Sequence, residues 1–134
     1  MKVDHTITGS LLLCLFFLIL SRPSNALFKS SPVIDSLETV MNNTPSDSTR
    51  LNILIRLCDE TTYNDSEKAI QYFKRAKQLA KRSGNDKALA RAYERAGIIY
   101  FHLGEKQKSR DYYLDAYRVN QRVGDYEILA SIMY

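Results

Sequence analysis

The chain has 134 residues, 45% hydrophobic and 25% charged, with only 5 Gly and 3 Pro, which suits one small folded domain once a targeting segment is set aside. Its formal charge of +4 falls to +3 when Lys2, Arg22 and Asp4 are removed with residues 1–26, a mild excess spread along the chain that argues against a nucleic-acid-binding stripe. All nine tyrosines lie from Tyr63 onward and Trp is absent, so the amphipathic aromatic surface is concentrated in one part of the sequence.

The N-terminus reads as a secretory signal peptide. Leu11 to Leu20 is an uninterrupted apolar run, shorter than the ~18–20 residues needed to span a bilayer. Lys2 precedes it, Pro23 follows it, and Ser24-Asn25-Ala26 offers small residues for cleavage before Leu27. Cleavage after Ala26 leaves no stable membrane span and predicts an exported chain, periplasmic or in the cell envelope; the alternative is an uncleaved anchor. Only Cys58 then remains, so no internal disulfide can form, and its apolar neighbours predict a small buried side chain.

Beyond the leader, residues 27–48 read as a short helix and loop. Ser31 and Pro32 start the helix, which runs through Met41, and Asn42 to Ser48 forms the loop. A helix over Thr49–Thr61 carries an apolar stripe of Leu51, Leu54, Ile55, Leu57 and Cys58. The next runs from Ser66 to Arg82, with Lys81 and Arg82 at its negative end and Gly84 to close it. Further helices are predicted over Asp86–Leu103 and Lys106–Val123, ended by Gly104 and Gly124, and Asp125 opens another that reaches Tyr134. The apolar spacing is three and four throughout, without hairpin dipeptides, so the fold class is all-α.

The pattern repeats. A shift of 40 residues superposes Tyr72 on Tyr112, Ala76 on Ala116, Arg82 on Arg122, Gly84 on Gly124 and Leu89-Ala90 on Leu129-Ala130. Small residues, aromatics and helix terminators recur together, as in a solenoid built from helix, turn, helix. The units are 49–85, 86–124 and a partial 125–134.

Within the second unit, Tyr93-x-x-Ala96-Gly97-x-x-Tyr100 is followed by Ser109-x-x-x-Tyr113 and Ala116. This resembles the tetratricopeptide repeat, with its aromatic, small-residue and second-helix Ala-x-x-x-aromatic positions. Gly97 and Ala116 would let the two helices approach, with Tyr93, Tyr100 and Tyr113 filling the space around the contact. In the first unit Ala69-x-x-x-Phe73 and Ala76 match directly, whereas Leu54-x-x-Leu57-Cys58-x-x-Thr61 matches with a one-residue shift. The usual terminal Pro is replaced by Lys81 and Gln121, and a period of 40 instead of about 34 implies longer helices or turns. The resemblance implies a right-handed helical-hairpin solenoid, similar to extended arrays in exported parts of bacterial signalling proteins.

No motif points to catalysis, a metal or a cofactor. His5 lies in the leader, and His102 stands alone in the last turn of a helix, where a polar tip suits the dipole. Asp111 and Asp115 lie one turn apart beside Arg110 and Arg118, the pattern of a solvated ion-pair face. The resemblance places a peptide-binding groove on the first helix of each unit. Carried onto the second unit, its positions are Arg91, Glu94, Arg95, Ile98, Phe101 and His102. Two guanidinium groups, a carboxylate and apolar side chains suit a peptide with mixed contacts.

The partial third unit lacks its second helix, so Leu129, Ile132 and Met133 would each forfeit part of the ~1.5–3 kcal/mol that full burial supplies. A fragment of a longer protein is the favoured reading, with self-association through the uncapped end as the other. The expectation is a protein- or peptide-binding module of an exported bacterial signalling protein. The rival is the regulatory segment of a membrane sensor histidine kinase or transcriptional regulator whose effector domain lies elsewhere.

Overall fold

A computed structural model describes residues 31–124, so the predicted leader and the partial third unit lie outside the described residues. Five helices follow one another: α1 (Pro32–Asn43), α2 (Asp47–Thr61), α3 (Ser66–Ser83), α4 (Asp86–His102) and α5 (Lys106–Val123). No strand occurs among the described residues.

Local chemistry sets the boundaries. The Thr49 N–H donates to Ser46 Oγ at 3.3 Å, Lys68 N–H to Asp65 Oδ1 at 3.0 Å, and Ala88 N–H to Asn85 Oδ1 at 2.9 Å, so three helices begin at a side-chain cap. The cap at Ser46 starts α2 two residues before the expected Thr49, and α1 runs on to Asn43, so the predicted Asn42–Ser48 loop shrinks to residues 44–46. At the other ends Gly84 and Gly124 take φ of 65° and 71°, the left-handed conformation that ends α3 and α5 at equivalent points of the two units. The long period comes from the helices: α2 to α5 run 15 to 18 residues, and the turns between them are short.

Sequential helices pack on one another, most extensively α4 on α5, while α1 leans on α2 and α2 also reaches α4. This is an all-α helical-hairpin solenoid. Its core runs through Leu51, Leu57, Phe73, Ala76, Ala92, Ala96 and Ile99, each at most 1% exposed. Full burial of a side chain the size of Leu or Phe contributes ~1.5–3 kcal/mol, so helix-on-helix burial and not propensity holds the stack.

Each hairpin crosses at one point. In the first, Cys58 Sγ on α2 reaches the Ala69 carbonyl on α3 at 3.7 Å; in the second, Ser109 Oγ on α5 donates to the Gly97 carbonyl on α4 at 2.8 Å. Cys58 corresponds to Gly97 and Ala69 to Ser109, so the same two positions meet with the polar side chain on opposite helices. The one-residue slip in the sequence has its origin here. Helix α4 runs two residues further past its crossing than α2 does, while the following connection is one residue shorter.

Tyr112, not Tyr113, joins Tyr93 and Tyr100. It stacks on Tyr100 at 5.2 Å and on Tyr93 at 6.2 Å, and meets Phe73 edge-on at 5.2 Å, tying α3, α4 and α5 together. Such pairs add ~0.5–1.5 kcal/mol beyond their burial. Tyr113, one residue on and therefore about 100° round α5, lies instead over Gly97, where a Cβ would come within 2.8 Å of its ring. The two rings straddle α4.

Candidate binding face

Helix α4 presents Arg91, Glu94, Arg95, Ile98 and His102 on one side, because residues three and four apart share a helical face. The first four are half-buried and His102 is exposed. Phe101 is 66% exposed and sits at the margin toward α5. There, with Tyr113, Leu114 and Tyr117, it lines an open apolar cavity of about 550 Å³.

Two residues of α2 and its C-terminal turn complete the face, and the sequence reading did not include them. Arg95 Nε lies 2.9 Å from Asp59 Oδ1, a Coulombic pair whose N–H is not aimed at the oxygen. Burial lifts the Asp59 carboxyl above its ordinary range; Arg95 and Arg91 oppose that shift, and Glu94 adds to it. The Tyr63 ring meets the His102 imidazole edge-on at 5.0 Å. The signal for both was available, since shifting Ile98 and His102 back by the 39 residues that relate Gly97 to Cys58 lands on Asp59 and Tyr63. Equivalent positions of successive first helices are therefore neighbours in space.

The arrangement offers a row of alternating charge flanked by aromatic rings. Arg95 is committed to Asp59, whereas Tyr63 is 68% exposed and available for contact. Tyr113 borders the same cluster: burial raises its hydroxyl pKa, with Glu94 adding, Arg95 opposing and Tyr63 adding. Among the described residues no three His, Cys, Asp or Glu side chains converge as metal ligands, and no helix is long and apolar enough to cross a membrane. On α5 the expected ion-pair face holds Arg118 at 3.1 Å from Asp115, while Asp111 accepts from Gln107.

Residues 64–127 match the family model described as tetratricopeptide repeat. These residues form tetratricopeptide repeats. The match takes in α3, α4 and α5, so the hairpin crossing at Gly97 and Ser109 lies within it, and α2 precedes it. No curated protein and no solved structure matches the chain. Tetratricopeptide repeats are typically non-catalytic interaction modules that bind protein partners, and the Arg91–His102 face lies on the first helix of the matched hairpin.

Proposed function

We propose that the chain holds an extended peptide of a protein partner across the shared face of α2 and α4. The observation that carries this reading is that side chains of the two first helices meet, Asp59 with Arg95 and Tyr63 with its repeat equivalent His102, which builds one continuous surface from two units. Tyr63 and His102 supply planar contacts, Ile98 an apolar one, and Arg91 and Glu94 set the charge register. Such mixed surfaces give orientation as well as affinity.

The leader supports a location. Lys2, the Leu11–Leu20 run and the Ser24-Asn25-Ala26 site have the layout of an export signal, and on this reading the mature chain begins at Leu27 in the envelope of a bacterial cell, as the recognition part of a signalling protein. N-terminal sequencing of the protein recovered from the periplasm tests this directly. Retention of Met1 in the cytoplasm would defeat it.

Binding is tested by selecting peptides from a random library on the purified chain and measuring their affinity by fluorescence anisotropy. Tyr63→Ala and Arg91→Ala are each expected to weaken selected peptides by about tenfold, or ~1.4 kcal/mol. Lys74→Ala, on the exposed side of α3, should leave them unchanged. Peptides that bind all three variants equally well would place recognition elsewhere.

A further inference from the structure

The opposite flank of α2 carries a second site. Arg50 on α2 and Arg75 and Arg82 on α3 line one open cavity of about 350 Å³, to which the last turn of α1 contributes Met41 and Asn42. Its floor is apolar: Met41, Leu54 and Leu79 are at most 8% exposed. Asn42 and Gln78 add amide groups at the rim, and no residue lining the cavity carries a carboxylate.

The guanidinium groups are unevenly satisfied. Arg50 pairs with Asp47 at 3.2 Å, and Arg75 makes a 3.7 Å contact to the Met41 sulfur. Arg82 has neither an ion pair nor a side-chain hydrogen bond among the described residues. On α1, Glu38 accepts from the Tyr72 hydroxyl. Helix α3 as a whole sets Lys68, Lys74, Arg75, Lys77, Lys81 and Arg82 against Glu67 alone, so its field is positive along its length. Like charges around one apolar floor favour an anion that can take several charge-assisted bonds at once.

We propose that this cavity binds a small polyanion, a phosphate- or carboxylate-bearing compound whose charged groups bridge Arg75 and Arg82 while its body rests on Met41, Leu54 and Leu79. The volume suits a ligand of that size. The site stands apart from the peptide face, because Arg50 and Leu54 lie on the opposite side of α2 from Asp59. It does not depend on the proposed function.

The test is thermal denaturation of the full chain at low ionic strength, titrated with sodium pyrophosphate and with sodium citrate against sodium chloride at matched ionic strength. A saturable rise in Tm is expected, with half-saturation below about 1 mM. Arg75→Gln and Arg82→Gln should each raise that concentration by about tenfold or more, whereas Lys74→Gln, a charge loss one residue away, should not. Circular dichroism of each variant without anion supplies its own baseline, which separates lost binding from lost folding. A response to pyrophosphate alone assigns the site to phosphates, and an equal response to citrate extends it to polycarboxylates. No saturable rise with either anion, or a rise that survives both arginine variants or is lost equally in Lys74→Gln, overturns the proposal.

Discussion

Gly97→Ala pits two opposing effects against each other. Glycine inside a helix costs ~1 kcal/mol relative to alanine, so propensity alone makes the substitution stabilising. Packing opposes it. The new Cβ would stand 2.8 Å from Tyr113 Cε1 and Cζ and 2.9 Å from Cδ1, where ordinary carbon contacts are about 3.5–4.0 Å. Helix α5 is held close, because Ser109 Oγ donates to the Gly97 carbonyl at 2.8 Å and Ala116 is fully buried. The half-buried Tyr113 ring must therefore move outward, and overpacking of this kind costs ~1–3 kcal/mol. The expected net effect is a loss of about 1 kcal/mol in the wild-type background and a gain of about 1 kcal/mol in Tyr113→Ala, a coupling of about 2 kcal/mol. Urea denaturation of the four proteins, followed by far-ultraviolet circular dichroism with equal m values, measures it. A Gly97→Ala variant that gains the same stability in both backgrounds would show that Tyr113 does not demand the glycine.

Among the described residues Asn120 is fully buried with neither its amide nitrogen nor its amide oxygen paired, at the position where the preceding unit has the buried Ala80. Asn120→Ala should therefore stabilise the chain by about 1 kcal/mol in the same denaturation assay, and a comparable loss would mean that the amide is satisfied in solution. Burial, aided by Asp59, pushes the Cys58 thiol pKa up to about 12. At pH 8 Cys58 should react with a thiol reagent about a thousandfold more slowly in the folded chain than in the urea-unfolded one, and equal rates at Cys58 would refute its buried placement. Burial, then the hydrogen bond to Glu38, raises the Tyr72 hydroxyl above its ordinary value of 10.0, so the folded chain holds that proton more tightly than the unfolded one. Its contribution is complete below that value and fades as pH rises beyond it, by up to ~1.4 kcal/mol per pH unit. Tyr72→Phe should flatten the alkaline fall in stability, and an unchanged slope would assign the fall to other groups.

Most of the helical framework was legible because its determinants are local. Asp65, Asn85, Gly84 and Gly124 mark helix ends by their own hydrogen bonding or backbone freedom, and apolar residues at spacings of three and four mark the buried stripe. The start of α2 was misplaced because Asn42 to Ser48 is uniformly turn-like in composition, and only the Ser46–Thr49 bond decides which serine caps. Tyr113 lies over Gly97 as its place in the motif implies, whereas Tyr112, the ring that joins Tyr93 and Tyr100, was not legible. Tyr112 and Tyr113 are chemically identical neighbours, and the rotation of α5 about its axis, set by the Ser109–Gly97 contact, determines which one reaches Tyr93 and Tyr100. Arg91, Glu94, Arg95, Ile98 and His102 were legible as one side of α4, but Asp59 and Tyr63 beside them were overlooked because the first unit matches the repeat only after a one-residue shift. The arginine cavity had no sequence signature, since Arg50 and Arg82 are 32 positions apart and meet only through the α2–α3 hairpin.

The two hairpins also show why the repeat tolerates sequence variation at its most crowded point. The crossing requires close approach and one hydrogen bond to an otherwise helix-internal carbonyl, and it leaves open which helix contributes the side chain. The first unit satisfies it with a thiol on α2 above Ala69, and the second with a hydroxyl on α5 above Gly97. Exchanging the roles changes what each neighbouring ring can do. Cys58 already has a side chain, so Phe73 is directed toward Tyr93 and Tyr112 between the units, whereas the bare Gly97 leaves room for Tyr113 to lie across α4. That placement puts an aromatic ring beside Glu94, Arg95 and Tyr63, at the edge of the proposed binding face. A choice made in the core at residue 97 thus shapes the surface at residue 113, and the coupling measured for Gly97 and Tyr113 would report on recognition as well as on stability.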